Sequence, residues 1–95
     1  MNIDNLNHRL QHVKPILKEE YHVSKIGYFG SYARNEQTDD SDIDILVEFS
    51  KPVGLEFIEL KHYLEGALNK KVDLVTARAL KPQIRDQILQ EVIYQ

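Results

Sequence analysis

An α/β sandwich with a small sheet is the architecture the sequence predicts, and three observations predict it. Apolar positions recur at alternating spacings of three and four through residues 3–20, short runs further on show period-two alternation, and the two patterns alternate along the chain. Their order is helix, strand, short helix, strand, helix, strand, helix, the alternation that packs helices on a sheet. The 95-residue length suits one core, so residues 1–95 read as a single domain.

The elements are justified in turn. Ile3, Leu6, Leu10, Val13 and Leu17 form the stripe of an amphipathic helix over about residues 3–20. Pro15 falls inside it and either kinks one helix or begins a second short one. Val23 to Phe29 is a short apolar stretch closed by Gly30-Ser31 and reads as the first strand. Ser31 is expected to cap a short helix through Tyr32, Ala33 and Arg34. Asn35 to Ser41 is wholly polar, as in a surface loop.

Asp42 to Phe49 is the second strand. Alternation puts Ile43, Ile45, Val47 and Phe49 on one face and Asp42 and Asp44 on the other. After the Ser50-Lys51-Pro52 turn, Phe57, Leu60, Lys61, Leu64, Ala67 and Leu68 trace the longest clear helix, with Asn69 as its terminator. Lys71 to Thr76 is a third strand with Asp73 set into it. Pro82 suits the first turn of a last helix whose Ile84, Ile88, Leu89 and Val92 are expected to pack on the sheet.

Composition narrows the function classes. Hydrophobic content of 42% and charged content of 28% are those of a folding globular chain, not a disordered one. Twelve Lys and Arg against fifteen Asp and Glu give a net charge of −3, which provides no broad cationic surface for a nucleic-acid backbone. Direct nucleic-acid binding is therefore not expected. Cysteine is absent, so disulfide and thiolate chemistry are excluded. The N-terminal residues lack the basic and apolar regions of a signal peptide, and no apolar run approaches the roughly 18 residues of a membrane span, so a cytoplasmic location is expected. A domain of this size buries only roughly 60–65% of its unfolded surface, which leaves little room for a deep substrate pocket and points to help from a partner.

Chemistry concentrates in three places. Placing two carboxylates on one side of a core strand is costly unless a cation compensates them. Asp42 and Asp44, at i and i+2, converge in this way and offer hard oxygen ligands of the kind that suit Mg²⁺ or Mn²⁺. Asp73 is a further carboxylate where a strand favours Val or Ile, and three carboxylates on two strands imply a metal cage. Two divalent ions there would clamp the attacking and leaving oxygens of an in-line displacement at phosphorus. Gly30 lets the backbone approach a ligand, the amides and hydroxyl around Ser31 suit phosphate oxygens, and Arg34 offers a bidentate contact.

Gly30-Ser31-Tyr32-Ala33-Arg34, then Ser41-Asp42-Ile43-Asp44-Ile45-Leu46-Val47, then Val72-Asp73-Leu74-Val75 together resemble the DNA polymerase beta-type nucleotidyltransferase superfamily. The compact length and the Ala-Arg after Gly-Ser are similar to the minimal nucleotidyltransferases, the MNT antitoxins that pair with HEPN-domain toxins. The resemblance runs from Ile26 to the final helix. It implies a nucleotidyltransferase fold, a small mixed sheet of about three strands with about four helices. It also implies that Gly30 and Ser31 hold the triphosphate of ATP, and that Asp42 and Asp44 bind the metal ions. Asp73 would complete the cage and help activate the attacking hydroxyl. The activity implied is transfer of AMP from ATP to a tyrosine of a cognate HEPN ribonuclease toxin, in a hetero-oligomer with that toxin. One departure stands out: the family usually has glycine after Ala-Arg, and this chain has Asn35, which takes left-handed backbone angles more readily than most residues but less freely than glycine.

Two other functions fit parts of the pattern. One is a non-catalytic antitoxin that neutralises a toxin by occlusion; the other is a transferase acting on a small-molecule hydroxyl, which ordinarily needs a further substrate domain. Among side features, His8 and His12 at i and i+4 have no third ligand nearby and read as solvated helix residues. Asp39-Asp40 reads as a solvated loop, Lys70-Lys71 as a surface pair, and Tyr28 and Tyr63 as packing residues.

Overall fold

A computed structural model describes residues 1–95. Helix α1 spans Ile3–Tyr21 without a break. Asn2 caps it, its side chain accepting from the Asn5 amide at 2.7 Å, and His22 ends it in the left-handed conformation at φ 60°. Pro15 does not divide α1 into two elements. A proline inside a helix costs about 3 kcal/mol, but Leu10, Val13 and Leu17 anchor the turns on both sides of it in one core.

Strands β1 (Val23–Phe29) and β2 (Ile43–Phe49) pair antiparallel, and β3 (Val72–Thr76) joins β2 in parallel through helix α2 (Glu56–Leu68). Asn69 closes α2 at φ 54°, as expected of a terminator. Helix α3 (Pro82–Glu91) follows a short 3₁₀ turn at Ala77–Ala79, and a two-residue strand β4 (Ile93–Tyr94) pairs with β1. The sheet order is β3-β2-β1-β4.

The expected three strands and four helices become four strands and three α-helices, for two local reasons. β4 is too short to show a period, although Gly27 carries its trace: a Cβ there would lie 2.8 Å from the Ile93 carbonyl oxygen, so only glycine lets β4 approach. The Tyr32–Arg34 segment forms a single closed turn rather than a helix, because Asn35 ends it immediately.

The two faces of the sheet are packed unequally. Leu6, Leu10, Val13 and Leu17 of α1 and Leu60, Leu64 and Leu68 of α2 bury the face that carries Ile26, Tyr28, Ile43, Ile45, Val47, Val72 and Leu74. Alternation sends Phe29, Asp44, Leu46 and Asp73 to the opposite face, where only Phe29, Leu46 and Leu80 are buried, beneath Ile88 and Val92. Ile84 and Leu89 do not pack on the sheet as expected and stay 44% and 38% exposed. The small second cluster has room for Ile88 of α3 and for Val92, the extended residue that caps the helix. No helix is long and apolar enough to cross a membrane.

Candidate active site

The uncovered part of the second face is where β1 ends and β2 and β3 begin. Register places Phe29 opposite Asp44, and Asp44 beside Asp73 in the parallel pair. The three elements thus bring together the Gly30 turn, Asp44 and Asp73, which span more than forty residues of sequence. Asp42 lies just before the start of β2 rather than inside it.

Gly30 sits at φ 69°, and a Cβ at that position would overlap the Asp44 carboxylate. Both facts require glycine: the conformation disfavours any side chain, and the backbone runs against the acid. After it, the Glu36 amide donates to the Ser31 carbonyl at 2.8 Å and the Asn35 amide to the Tyr32 carbonyl at 3.3 Å. Asn35 takes φ 57°. This pair of bonds around a left-handed residue is the Schellman closure, so Asn35 performs the backbone task for which glycine is usual.

Asp44 is half-buried, whereas Asp42 and Asp73 are exposed. Burial, then the charges of Asp73 and Asp42, push the Asp44 carboxyl up to about 6. None of the three carboxylates forms a salt bridge or accepts a hydrogen bond from a protein donor; the three salt bridges of the molecule lie elsewhere. All three carboxylates lie at the same end of the sheet, Asp44 and Asp73 in register and Asp42 just before β2. Three like charges without a salt bridge repel, the Arg34 guanidinium offsetting this only in part, and Asp44 alone of the three is half-buried. The result is a register pair, Asp44 and Asp73, with Asp42 near enough for its charge to raise Asp44 as well.

The nucleotidyltransferase domain model matches residues 10–95, which takes in the Gly30 turn and all three carboxylates. The chain belongs to the nucleotidyltransferase domain family. Protein adenylyltransferase MntA of Thermococcus cleftensis is 50% identical over 82 residues, covering 85% of this chain and 83% of its own. A solved structure provisionally described as a minimal nucleotidyltransferase superposes with a TM-score of 0.84 at 38% identity, covering 98% of this chain and 95% of the other. A chain in the solved complex of tri-AMPylated Shewanella oneidensis HEPN toxin with MNT antitoxin matches with a TM-score of 0.59 at 26% identity, over 98% of this chain and 67% of the other.

In this nucleotidyltransferase, Ser31 is partly exposed beside Gly30, and Arg34 is reached by two acids. Its Nε lies 2.6 Å from Glu36 and its Nη1 2.5 Å from Glu91. The Arg34 guanidinium therefore has to exchange a carboxylate for any phosphate it meets. Glu91 carries no mark in the sequence. It ends α3, its side chain is 16% exposed, and its charge also raises Asp44. No local pattern points to it, because its proximity arises only when α3 folds across the second face.

The remaining side features fall where the residue types suggest. His8 and His12 are exposed on α1, and Asp39 and Asp40 are exposed in the loop. Lys70 does more than sit at the surface, donating to the Asp39 carbonyl and so tying down the loop that leads to Asp42. Tyr28 is buried and donates to Asn7 at 2.7 Å, and Tyr63 is half-buried against Tyr21. Tyr32, inside the Gly-Ser motif, is fully buried with its hydroxyl unpartnered, which turns it away from any transferred group.

Proposed function

We propose that this nucleotidyltransferase transfers AMP from ATP to a tyrosine of a HEPN-domain toxin and thereby neutralises it, as an antitoxin in a hetero-oligomer with that toxin. The observation that carries the reading is the Asp44–Asp73 register beside the Gly30 turn. The relatives support the choice of acceptor: one is a protein adenylyltransferase, and one structural neighbour contains an AMPylated HEPN toxin.

The residues fit a divalent cation. Asp44 and Asp73 are all-oxygen donors that form no salt bridge, and the burial and acidic neighbours that raise Asp44 against the partial offset of Arg34 are what a cation relieves. Asp42, Asp44 and Asp73 would hold Mg²⁺, or Mn²⁺ in its place, and the metal would supply charge neutralisation at the phosphates. Amides of the Gly30-Ser31 turn and the Ser31 hydroxyl orient the triphosphate, with Arg34 released from Glu36 to assist. Asp73 accepts the proton of the acceptor hydroxyl. That oxygen forms a bond to the α-phosphorus as the bond to the pyrophosphate oxygen breaks, and pyrophosphate leaves. The exposed side of the second face leaves the acceptor to be presented by a partner protein.

The test is incubation with α-labelled ATP, Mg²⁺ and a HEPN-domain protein encoded by the neighbouring gene of the same genome. Label on the partner, lost in the Asp42→Ala plus Asp44→Ala variant, is the expected result. Absence of transfer, or transfer undiminished in that variant, overturns the reading.

A further inference from the structure

We propose that the cleft between the second half of α1 and the beginning of β1 is a docking groove for an extended, acidic segment of a partner protein, which adds as a strand to the outer edge of β1. The cleft encloses about 840 Å³. Lys14, Lys18 and Lys25 line it, opposed by a single acid, Glu19. Three cations gathered in a chain of net charge −3 form a local field of the opposite sign to the molecule as a whole.

The lysines are only loosely engaged. Lys14 donates to the Gln95 carbonyl at 2.9 Å, Lys25 stands 4.0 Å from Glu48 and 4.2 Å above the Tyr94 ring, and Lys18 has no partner. The Lys25–Glu48 contact, long and half exposed, is weak and exchangeable.

The backbone makes the cleft more than a cationic patch. β4 covers β1 only at Gly27 and Tyr28, with one further bond from the Gln95 amide to the Ile26 carbonyl at 2.9 Å. From Val23 to Lys25 the outer edge of β1 has no strand beside it, and the register with β2 slips there. An uncovered edge is a template for strand addition, where main-chain bonds supply affinity and side-chain charge supplies selection. An incoming strand in line with β4 would run antiparallel to β1, with alternate side chains toward Lys14 and Lys18.

The same lysines decide among occupants. A second copy of this edge would set Lys25 and its neighbours against like charge, so self-pairing is disfavoured. A nucleic-acid backbone would find three cations at most and an acidic molecule around them. An acidic strand satisfies both the charges and the edge. The groove is separate from the transfer chemistry, since Gly30 lies at the far end of β1, roughly 20 Å away at about 3.3–3.4 Å per residue.

Binding measured without nucleotide therefore tests the groove alone. The probe is a labelled peptide of alternating Glu and Val, followed by fluorescence anisotropy with the intact chain. Beside it run a Gln-for-Glu peptide, a Glu peptide N-methylated at alternate residues, and oligo-uridylate. The Glu peptide should bind about tenfold more tightly than the Gln peptide, and N-methylation should weaken it about fivefold. Amide shifts should concentrate at Val23–Ile26 and in the second half of α1. Lys14→Glu with Lys18→Glu should weaken the peptide about tenfold, and Lys18→Glu alone, which removes no contact of the fold, about threefold. Indifference to N-methylation, tighter binding of oligo-uridylate, or no peptide binding at millimolar concentration would each overturn the proposal.

Discussion

The two faces of the sheet carry different work, and they differ in how completely they are packed. The face toward α1 and α2 is closed, with leucines from two helices against alternate residues of three strands. The face toward α3 has a buried cluster of only three residues and an open end where Asp44 and Asp73 stand side by side. A half-buried acid raised by burial and by its acidic neighbours, with no salt bridge of its own, is what a closed core would reject. The contrast teaches that stability is concentrated on one side of the sheet, so that the other side can tolerate the repulsion between Asp44 and its acidic neighbours.

The largest effect should come from breaking the open face chemically. Asp44→Asn keeps the shape of the side chain and removes its charge, and is expected to lower AMP transfer about 10³-fold, roughly 4 kcal/mol in the barrier. The measurement is single-turnover label transfer to the partner at saturating ATP. Retained transfer would place the chemistry elsewhere on the chain.

Breaking the closed face should cost stability instead. Leu64→Ala, at a fully buried position, is expected to lose about 2–5 kcal/mol in urea unfolding. Ile84→Ala, on α3 at 44% exposure, should lose less than about 1 kcal/mol by hydrophobic transfer. Equal losses would mean that α3 is as integral to the core as α2.

Most of this division is legible in the sequence, because period-two alternation in β2 by itself separates Ile43, Ile45 and Val47 from Asp44. The carboxylates, the Gly-Ser turn and the main helices follow from local pattern. What escapes depends on contacts between distant segments. Glu91 reaches the site only by the path of α3, and β4 exists because Gly27 leaves space for two residues more than sixty positions away. Ile84 and Leu89 resemble packing residues because helical period says which positions share a face, but not how wide a surface awaits them.

A third, smaller effect concerns pH in the ion-free protein. The Asp44 carboxyl is raised to about 6 by burial and by its acidic neighbours, above its ordinary value of 3.8. The folded state therefore binds the proton more tightly than the unfolded chain. The associated stability is fully present below the unfolded value and is lost as pH rises through about 6. Asp44→Asn lacks this loss, so the variant should be the more stable protein at pH 7.5, with the gap closing as pH falls from about 6 toward 4. Mg²⁺ at tenfold its dissociation constant should stabilise the natural chain by about 1.4 kcal/mol and the variant by less. A gap independent of pH would remove the electrostatic explanation.

The smallest effect is at Asn35, where the open face meets its supporting turn. Its φ of 57° and the paired bonds that close residues 31–36 show that asparagine holds a left-handed conformation for which glycine is the usual residue. Replacement by glycine relieves left-handed strain of less than about 1 kcal/mol but adds a comparable amount of unfolded-state entropy, so Asn35→Gly should change stability by no more than about 0.5 kcal/mol. Asn35→Val has no such compensation, since a β-branched residue at positive φ is strained by roughly 1–2 kcal/mol. Because Ser31 supplies one carbonyl of that closure, opening the turn also moves the phosphate-facing end of β1. Transfer by Asn35→Gly should therefore stay within about twofold of the natural chain, while Asn35→Val loses activity beyond its loss of stability. A large gain of activity in Asn35→Gly would instead mean that asparagine restrains the turn during the reaction, although it closes it well at rest.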